Sequence, residues 1–164
     1  MEYVATRLRA WKGPTIAYSG FGNGFDMMFA GAVLKLRDQE GCDIQLVAMV
    51  PFEGHELTPE NEFGWYTGKH PRDITAADIE NDPLWRLYWS LRKRADQTVI
   101  VSTTRGTPGY MARNREIVKR TDHLIVCWNG GGGGTGATIN MARQSRRTHT
   151  NIHKEICREL GITT

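Results

Sequence analysis

The sequence predicts an α/β fold, built as a doubly wound parallel sheet of four or more strands flanked by helices. Four short apolar runs alternate with segments of helical periodicity, which is typical of βαβ units. Two glycine-rich segments each lie between an apolar run and a helical segment. At 164 residues with 40% hydrophobic side chains, the chain can bury a core of its own. We therefore expect a single domain over residues 1–164, in which residues 144–164 form a basic helical extension.

The N-terminal part contains the first strand, glycine turn and helix. The spacing of apolar residues predicts a short helix over residues 1–12, which ends at Gly13-Pro14. Residues 15–18 are apolar enough for a buried strand, and residues 19–26 form a glycine-rich turn. Apolar residues then recur at helical spacing over 27–40, before a glycine that favours a helix end.

The middle of the chain contains a strand, a loop and a long helical segment. Residues 44–50 read as the second strand, and residues 57–71 as a loop rich in glycine, proline and aromatic side chains. Within that loop, Trp65 and Tyr66 either close over a flat ligand ring or pack beneath the loop. Residues 73–96 are predicted to be mostly helical, with an aromatic stripe that indicates core packing or a dimer seam.

The C-terminal half contains two further strands and the richest glycine turn. Residues 98–102 predict the third strand, 110–119 a helix and 123–128 the fourth strand. Five glycines at 130–134 then precede a helical segment. A flexible linker is the alternative, although a linker is not expected between a buried strand and a helix. Because parallel strands point the same way, the turns after all four are expected at one sheet edge.

These turns carry the candidate ligand-binding residues. Glycine lets the backbone approach a ligand closely, and unpaired N–H groups at a helix N-terminus attract anions. Asp26 is expected in a helix first turn, where it is either stabilised by the helix dipole or accepts from a ribose hydroxyl. Arg113 is also expected in a first turn, where the dipole disfavours a cation, so a ligand phosphate or carboxylate is expected beside it. The expected ligand-binding residues are Ser19, Gly20, Gly22, Gly24, Asp26, Pro51, Phe52, Glu53, Arg113, Asn114, Asn129, Gly132, Gly133, Gly134 and Thr135.

The segment after the second strand contributes three of them. Pro51-Phe52-Glu53 stands at the carboxyl end of that strand, where open α/β sheets place ligands. Phe52, Trp65 or Trp128 is expected to stack on a base. His55 is expected to be an exposed loop histidine, and a ligand-binding histidine is the alternative.

Composition limits the partners and the compartment. The net charge of +3 is too small to argue for nucleic acid by itself, and the basic clusters at 92–94 and 143–147 are either solvated helix faces or nucleic-acid contacts. Three widely spaced cysteines form neither a disulfide pattern nor a zinc pattern, so a reducing compartment, the cytoplasm, is expected and no metal is expected. The apolar runs are far shorter than the ~20 residues of a membrane helix, and no signal-peptide pattern is present, so no membrane association is expected.

Several of these residues together resemble a known family. Ser19-Gly20-x-x-x-Gly24-x-Asp26, Pro51-Phe52-Glu53, Tyr110-Met111-x-Arg113-Asn114, Asp122 and Gly133-Gly134-Thr135 occur in an order similar to that of the SLOG superfamily. Its members are Rossmann-like proteins and include the Lonely Guy phosphoribohydrolases, the DNA-processing protein A domain and the YpsA-like group, to which this chain is most similar. The resemblance covers roughly residues 13–143. It implies a Rossmann-like fold, a nucleotide-derived ligand at these motifs and a homodimer.

The chain also departs from the family pattern. Phosphoribohydrolase members carry Pro-Gly-Gly-x-Gly-Thr-x-x-Glu, whereas here Asn129-Gly130 precedes the glycines and Thr138 stands in the place of the glutamate. Acid–base help at a glycosidic bond would then come from Asp26, Glu53 or Glu116. Relatives usually begin with a strand ahead of the first helix, so a strand is missing, supplied by a partner or replaced.

Three functions are therefore expected in decreasing order. The first is binding or sensing of a nucleotide or nucleotide-derived ligand, such as a nucleoside monophosphate or an ADP-ribose-like molecule, with no required cofactor. The alternative is a nucleotide N-glycosidase of the Lonely Guy type, with Arg113, Glu53 and Asp26 as catalytic residues. The second alternative is binding of single-stranded nucleic acid through the basic clusters.

Overall fold

The fold alternates helices with parallel strands. It was obtained as a computed structural model, which describes residues 2–55, 73 and 75–162. In chain order its elements are α1 (Glu2–Arg9), β1 (Thr15–Ser19), α2 (Phe25–Glu40), β2 (Ile44–Val50), α3 (Ala76–Asn81), α4 (Pro83–Arg94), β3 (Gln97–Ile100), α5 (Thr107–Arg120), β4 (His123–Val126), α6 (Gly134–Gln144), β5 (Thr148–Asn151) and α7 (His153–Glu159). The loop predicted at 57–71, with Trp65 and Tyr66, lies outside the described residues.

The strands form two separate parallel sheets. The first has the order β1-β2-β3, with Thr15 opposite Ile44, and the second pairs β4 with β5, with His123 opposite Thr148. The predicted α/β class with parallel strands is therefore confirmed. The four predicted strands are all present, but in the described part of the chain β1 and β4 are not paired with each other.

Helices cover both faces of these strands. Buried side chains of α1, α2 and α4 pack against β1 and β2 in the larger core, which Ile125 of β4 also contacts. Leu124 and Val126 of β4 face the other way and pack with Ile139 of α6 in a smaller core. Since neighbouring residues of one strand point to opposite faces, this division places α1 and α2 on one side of β4 and α5 and α6 on the other.

The helices begin in two different ways. Asp82 caps α4, because its Oδ1 accepts hydrogen bonds from the N–H groups of Leu84 at 2.7 Å and Trp85 at 3.1 Å. In contrast, α2, α5 and α6 follow Gly24, Gly106 and Gly133, which have φ angles of 83°, 68° and 96° and provide no side-chain cap. The first-turn N–H groups of these three helices are therefore left for other partners.

Three elements differ from the predictions. The helical segment predicted at 73–96 is divided into α3 and α4, with Asp82 between them as the cap of α4. Helix α5 begins three residues earlier than predicted, at Thr107. The C-terminal segment contains β5 as well as a helix, and β5 was missed because Thr148–Asn151 has no apolar run.

Two further expectations concern the thiols and the membrane. Cys42, Cys127 and Cys157 are all free thiols, as their spacing predicted. Within the described ranges, every helix is too short or too polar to cross a bilayer.

Candidate functional site

A cavity of about 630 Å³ lies between β1 and β4, with the turns that follow both strands in its wall. This volume is within the roughly 300–1,000 Å³ range of small-molecule sites. Both predicted glycine turns therefore border one space, as the sequence predicted. The expected ligand-binding residues that line it are Ser19, Gly20, Gly22, Gly24, Asp26, Arg113, Asn114, Gly134 and Thr135.

The turn over residues 19–26 is held by its own hydrogen bonds. The Ser19 hydroxyl donates to the Asp26 carbonyl at 2.9 Å, and the Gly22 N–H donates to Asp26 Oδ2 at 3.1 Å. The Gly24 N–H donates to the Asn23 side chain at 2.8 Å. Asp26 lies in the first turn of α2, as predicted, and it also organises the turn that precedes the helix.

Arg113 connects α5 to this turn. Its Nη1 donates to the Gly20 carbonyl and lies 3.6 Å from Asp26 Oδ2, while its Nε donates to Asn114 Oδ1 at 2.8 Å. The guanidinium also lies over the Tyr110 ring, 5.9 Å from its centre. Only 9% of Arg113 is exposed, and a charge so buried requires partners of this kind.

The reason given above for Arg113 is wrong in one respect. Because α5 begins at Thr107, Arg113 lies at the end of the second turn and not in the first. The helix dipole acts mainly within the first turn, so it does not explain the position of this cation. Its contacts with Gly20 and Asp26 explain it instead.

The second turn, at residues 129–134, is supported from outside the cavity. Asn129 Oδ1 accepts from the Gly131 N–H at 3.0 Å, and the Trp128 indole donates to the Gly131 carbonyl at 2.6 Å. Asn129, Gly132 and Gly133 are exposed and do not line the cavity. They shape the turn, and Gly134 with Thr135 brings the start of α6 to the cavity.

The segment after β2 is not brought to the cavity. Pro51 and Phe52 are buried, and the Phe52 ring packs 5.4 Å from that of Tyr110, whereas Glu53 is exposed. Glu116, another candidate carboxylate, is on the surface of α5 and pairs with Arg120 at 2.7 Å. Asp26 is therefore the one carboxylate, among the described residues, that lines the cavity.

The prediction that His55 is exposed is wrong. His55 is completely buried, and its Nε2 lies 3.2 Å from the Phe21 carbonyl. Its Nδ1 lies 3.5 Å from the Tyr88 hydroxyl of α4. His55 thus connects the 19–26 turn to α4, a supporting role that sequence reasoning missed because nothing in the loop sequence marks it as buried.

The strand walls of the cavity contain two groups with shifted pKa values. Burial, with a smaller effect of His149, lowers the pKa of His123, whose ring nitrogens lie 2.7 and 2.9 Å from the Thr148 and Thr150 hydroxyls. Burial, and then Cys157, raises the pKa of the Cys127 thiol. Both shifts favour the neutral form, so this part of the cavity is weakly charged.

The charged groups that line the cavity near the glycine turns are Asp26 and Arg113. In the part of the chain that the structure describes, no cluster of three metal-binding side chains is found. Sequence reasoning also missed the apolar lining, which includes Phe25 and Phe29 of α2 and Ile117 of α5. Their helical periodicity marked them as apolar-face residues but not as cavity residues. The arrangement is suited to holding an anion and a flat apolar group.

Comparison with known proteins adds no assignment. No protein-family model matches the chain, and no curated protein matches it. What the site does is therefore argued from its geometry.

Proposed function

We propose that the protein binds a nucleotide or nucleotide-derived ligand, such as a nucleoside monophosphate or an ADP-ribose-like molecule, in the cavity between the glycine turns. One observation carries the proposal. The uncapped N-termini of α2 and α6 and the buried cation Arg113 all border the same cavity. Helix N-termini favour phosphate through free N–H groups and the helix dipole, and arginine adds charge-assisted hydrogen bonds.

Each part of such a ligand has a matching group in the cavity. The phosphate would accept from the first-turn N–H groups of α6, at Gly134 and Thr135, and from Arg113. Asp26 would accept from a ribose hydroxyl. Phe25 and Tyr110 line the cavity and offer aromatic faces for a base.

Binding without turnover is favoured over catalysis. Thr138 replaces the glutamate of the phosphoribohydrolase motif, and its hydroxyl donates to the Gly134 carbonyl at 2.8 Å. Asp26 already accepts from Gly22 and faces Arg113, which stabilises its charged form and makes it a poor proton donor. A general acid for glycosidic cleavage is therefore lacking among the described residues of this cavity.

The proposal includes the family and the assembly. We propose a YpsA-like member of the SLOG superfamily, with a doubly wound Rossmann-like sheet, that acts as a cytoplasmic homodimer. The parallel strands, the two glycine turns and the position of Arg113 beside the first turn support the family. Nucleic-acid binding is less well supported, because Arg94 pairs with Asp38 and Arg147 with Asp122, at 2.7 and 2.9 Å.

Ligand-dependent stabilisation tests the proposal. We would measure the melting temperature with AMP, GMP, CMP, UMP, ADP-ribose and inorganic phosphate. A ligand at 100 times its Kd stabilises a protein by about 2.7 kcal/mol, which corresponds to a shift of roughly 5–11 °C for a chain of this size. If none of the nucleotides and ADP-ribose shifts the melting temperature, the proposal is wrong.

Variants on α5 test the position of the ligand. Arg113→Ala removes charge-assisted hydrogen bonds worth about 1.5–3 kcal/mol, so calorimetry should show binding roughly 10–150 times weaker. Arg115→Ala is the matched control, because Arg115 is exposed on the same helix and does not line the cavity. Equal weakening by both variants would place the ligand elsewhere.

The N-glycosidase remains a second candidate because Asp26 does place a carboxylate in the cavity. Its test is the release of free base from nucleoside monophosphates, followed by chromatography at high protein concentration. Release that disappears in Asp26→Asn would establish turnover at this site. No release by the unmodified protein would exclude it for these substrates.

A further inference from the structure

The two sheets turn unpaired edges toward one another. Strand β1 pairs with β2 and strand β4 pairs with β5, so in the described part of the chain each has one edge without a strand neighbour. All five residues of β1 and all four of β4 line the cavity. We call this part of the cavity, between residues 15–19 and 123–127, the inter-sheet slot.

The hydrogen bonds of β1 show which backbone groups face the slot. The Thr15 N–H donates to the Asp43 carbonyl at 3.0 Å, on the β2 side. Along a parallel strand, the backbone groups of successive residues point to alternate sides. The N–H and C=O groups of Ile16 and Tyr18 therefore point away from β2 and into the slot.

The same reasoning applies to β4. The Val126 carbonyl accepts from the Ile152 N–H at 2.9 Å, on the β5 side. By alternation, the backbone groups of His123, Ile125 and Cys127 point into the slot. Two rows of unsatisfied donors and acceptors thus border the same space, which is the hydrogen-bonding environment of a central strand.

The slot is apolar and covered on both faces. Leu8 of α1 and Phe29 of α2 line it from one side, and Ile117 of α5 lines it from the other. Ile16 is 53% exposed, which is unusual for an apolar strand residue between helical layers. The charged lining groups Asp26 and Arg113 belong to the glycine-turn end. An occupant would be buried on both faces, and strands in that position are continuously apolar.

We propose that an extended apolar segment of a partner polypeptide inserts into the inter-sheet slot between β1 and β4 and joins the two sheets into one. About five residues would match the length of β1. The segment would run parallel to both strands, since the turns that follow β1 and β4 border the same cavity. Backbone hydrogen bonds would provide affinity, and the apolar faces would select the side chains.

A separate partner fits better than a second copy of this chain. Strands β1, β2 and β4, which provide the apolar strand sequences, are already paired and buried in the two cores. A second copy would have to unfold one of them to supply the segment. The slot proposal does not depend on nucleotide binding, because it uses backbone groups and apolar contacts of the strands.

Hydrogen exchange with a synthetic strand tests the proposal in the absence of nucleotide. The probe is the peptide acetyl-Lys-Val-Ile-Val-Ile-Thr-Gly-amide, titrated into the full chain. At saturation, exchange of the Ile16, Tyr18, Ile125 and Cys127 amides should slow by about tenfold or more, because a stable hydrogen bond protects an amide. The Ala17 and Ser19 amides, which face β2, are the internal control and should not change.

Two further measurements decide between occupants. The same peptide with N-methyl groups on both valines cannot pair along one edge, so it should bind at least about tenfold more weakly. Equal binding of the two peptides, or no change in exchange at the four slot amides, would overturn the proposal. A dimer found by sedimentation, in which those amides are protected without peptide, would assign the slot to a second copy and would also overturn it.

Discussion

Gly20 is the position where a single methyl group should disturb the candidate site most. A Cβ atom there would overlap Arg113 Nη1 and lie 2.5 Å from Asp26 Oδ2 and 2.9 Å from Arg113 Cζ. Asp26 can rotate away because its side chain is 38% exposed, but that of Arg113 is only 11% exposed and is held by Asn114. Gly20→Ala should therefore displace Arg113 and break its hydrogen bond to the Gly20 carbonyl.

The size of the effect follows from this overlap. Inserting a methyl group into a packed site typically costs about 1–3 kcal/mol. For a chain of this length, each kcal/mol corresponds to about 2–4 °C in melting temperature, so Gly20→Ala should melt roughly 2–12 °C lower. Gly132→Ala is the matched control, because a Cβ there meets no atom within 4 Å and the φ angle is not positive. That variant should melt close to the unmodified protein.

A double-mutant cycle shows whether Arg113 is the cause. If the methyl group strikes Arg113, then Arg113→Ala makes room for it, and Gly20→Ala should cost less in that background. The coupling should lie within the 0.5–3 kcal/mol typical of residues in contact, measured by urea unfolding at equilibrium. Additive effects within about 0.5 kcal/mol, or a Gly20→Ala variant as stable as Gly132→Ala, would refute the reasoning.

Three further predictions concern stability away from this contact. Asp82→Ala should lower the free energy of unfolding by about 0.5–2 kcal/mol, measured in urea, because it removes the N-cap of α4, whereas Asp82→Ser should recover most of the loss. Hydrogen bonds from Arg37 and then Arg94 lower the pKa of Asp38 to about 2, so this carboxylate stabilises the fold above its unfolded pKa near 3.8, and the contribution is lost as the pH falls toward 2; Asp38→Asn should flatten the melting temperature across that window, and an unchanged slope would contradict the assignment. Burial lowers the pKa of His123 below 6.5, so the unfolded chain binds the proton more readily and stability falls as the pH drops below 6.5; the decrease should be smaller in His123→Gln when thermal unfolding is followed between pH 7 and 5.

The sequence predicted the elements better than their pairing. Strands β1, β2 and β4 contain apolar runs, so their existence could be recognised from composition. Strand β5 has the sequence Thr-His-Thr-Asn, and its place beside β4 depends on tertiary contacts such as the His123 hydrogen bonds to Thr148 and Thr150. Periodicity also gives no information about strand order, and the division into two sheets was therefore not predicted.

The candidate site shows the same division between local and long-range information. Gly20, Asp26 and Gly134 were recognised because a glycine turn between a strand and a helix has a local signature, and all three line the cavity. Phe52 and Glu53 follow a strand in the same way, but Phe52 is drawn into the packing around Tyr110 and away from the cavity. Which of two similar turns faces a ligand depends on neighbouring elements, which a local pattern does not contain.

The exposure of Ile16 links the fold to both proposals. In the sequence, Thr15-Ile16-Ala17-Tyr18 reads as a strand buried on both faces, yet only Ala17 of the apolar pair is buried. Ile100 of β3 is also 46% exposed, and it lies on a strand with one neighbour at the sheet edge. The difference is that the open edge of β1 faces the open edge of β4 across a cavity. A strand inserted there would cover Ile16 and fix the distance between the two glycine turns, so strand binding and ligand binding should strengthen one another. The coupling is measurable as the ratio of nucleotide Kd values without and with the peptide, and reciprocity requires the same ratio for the peptide Kd values without and with nucleotide.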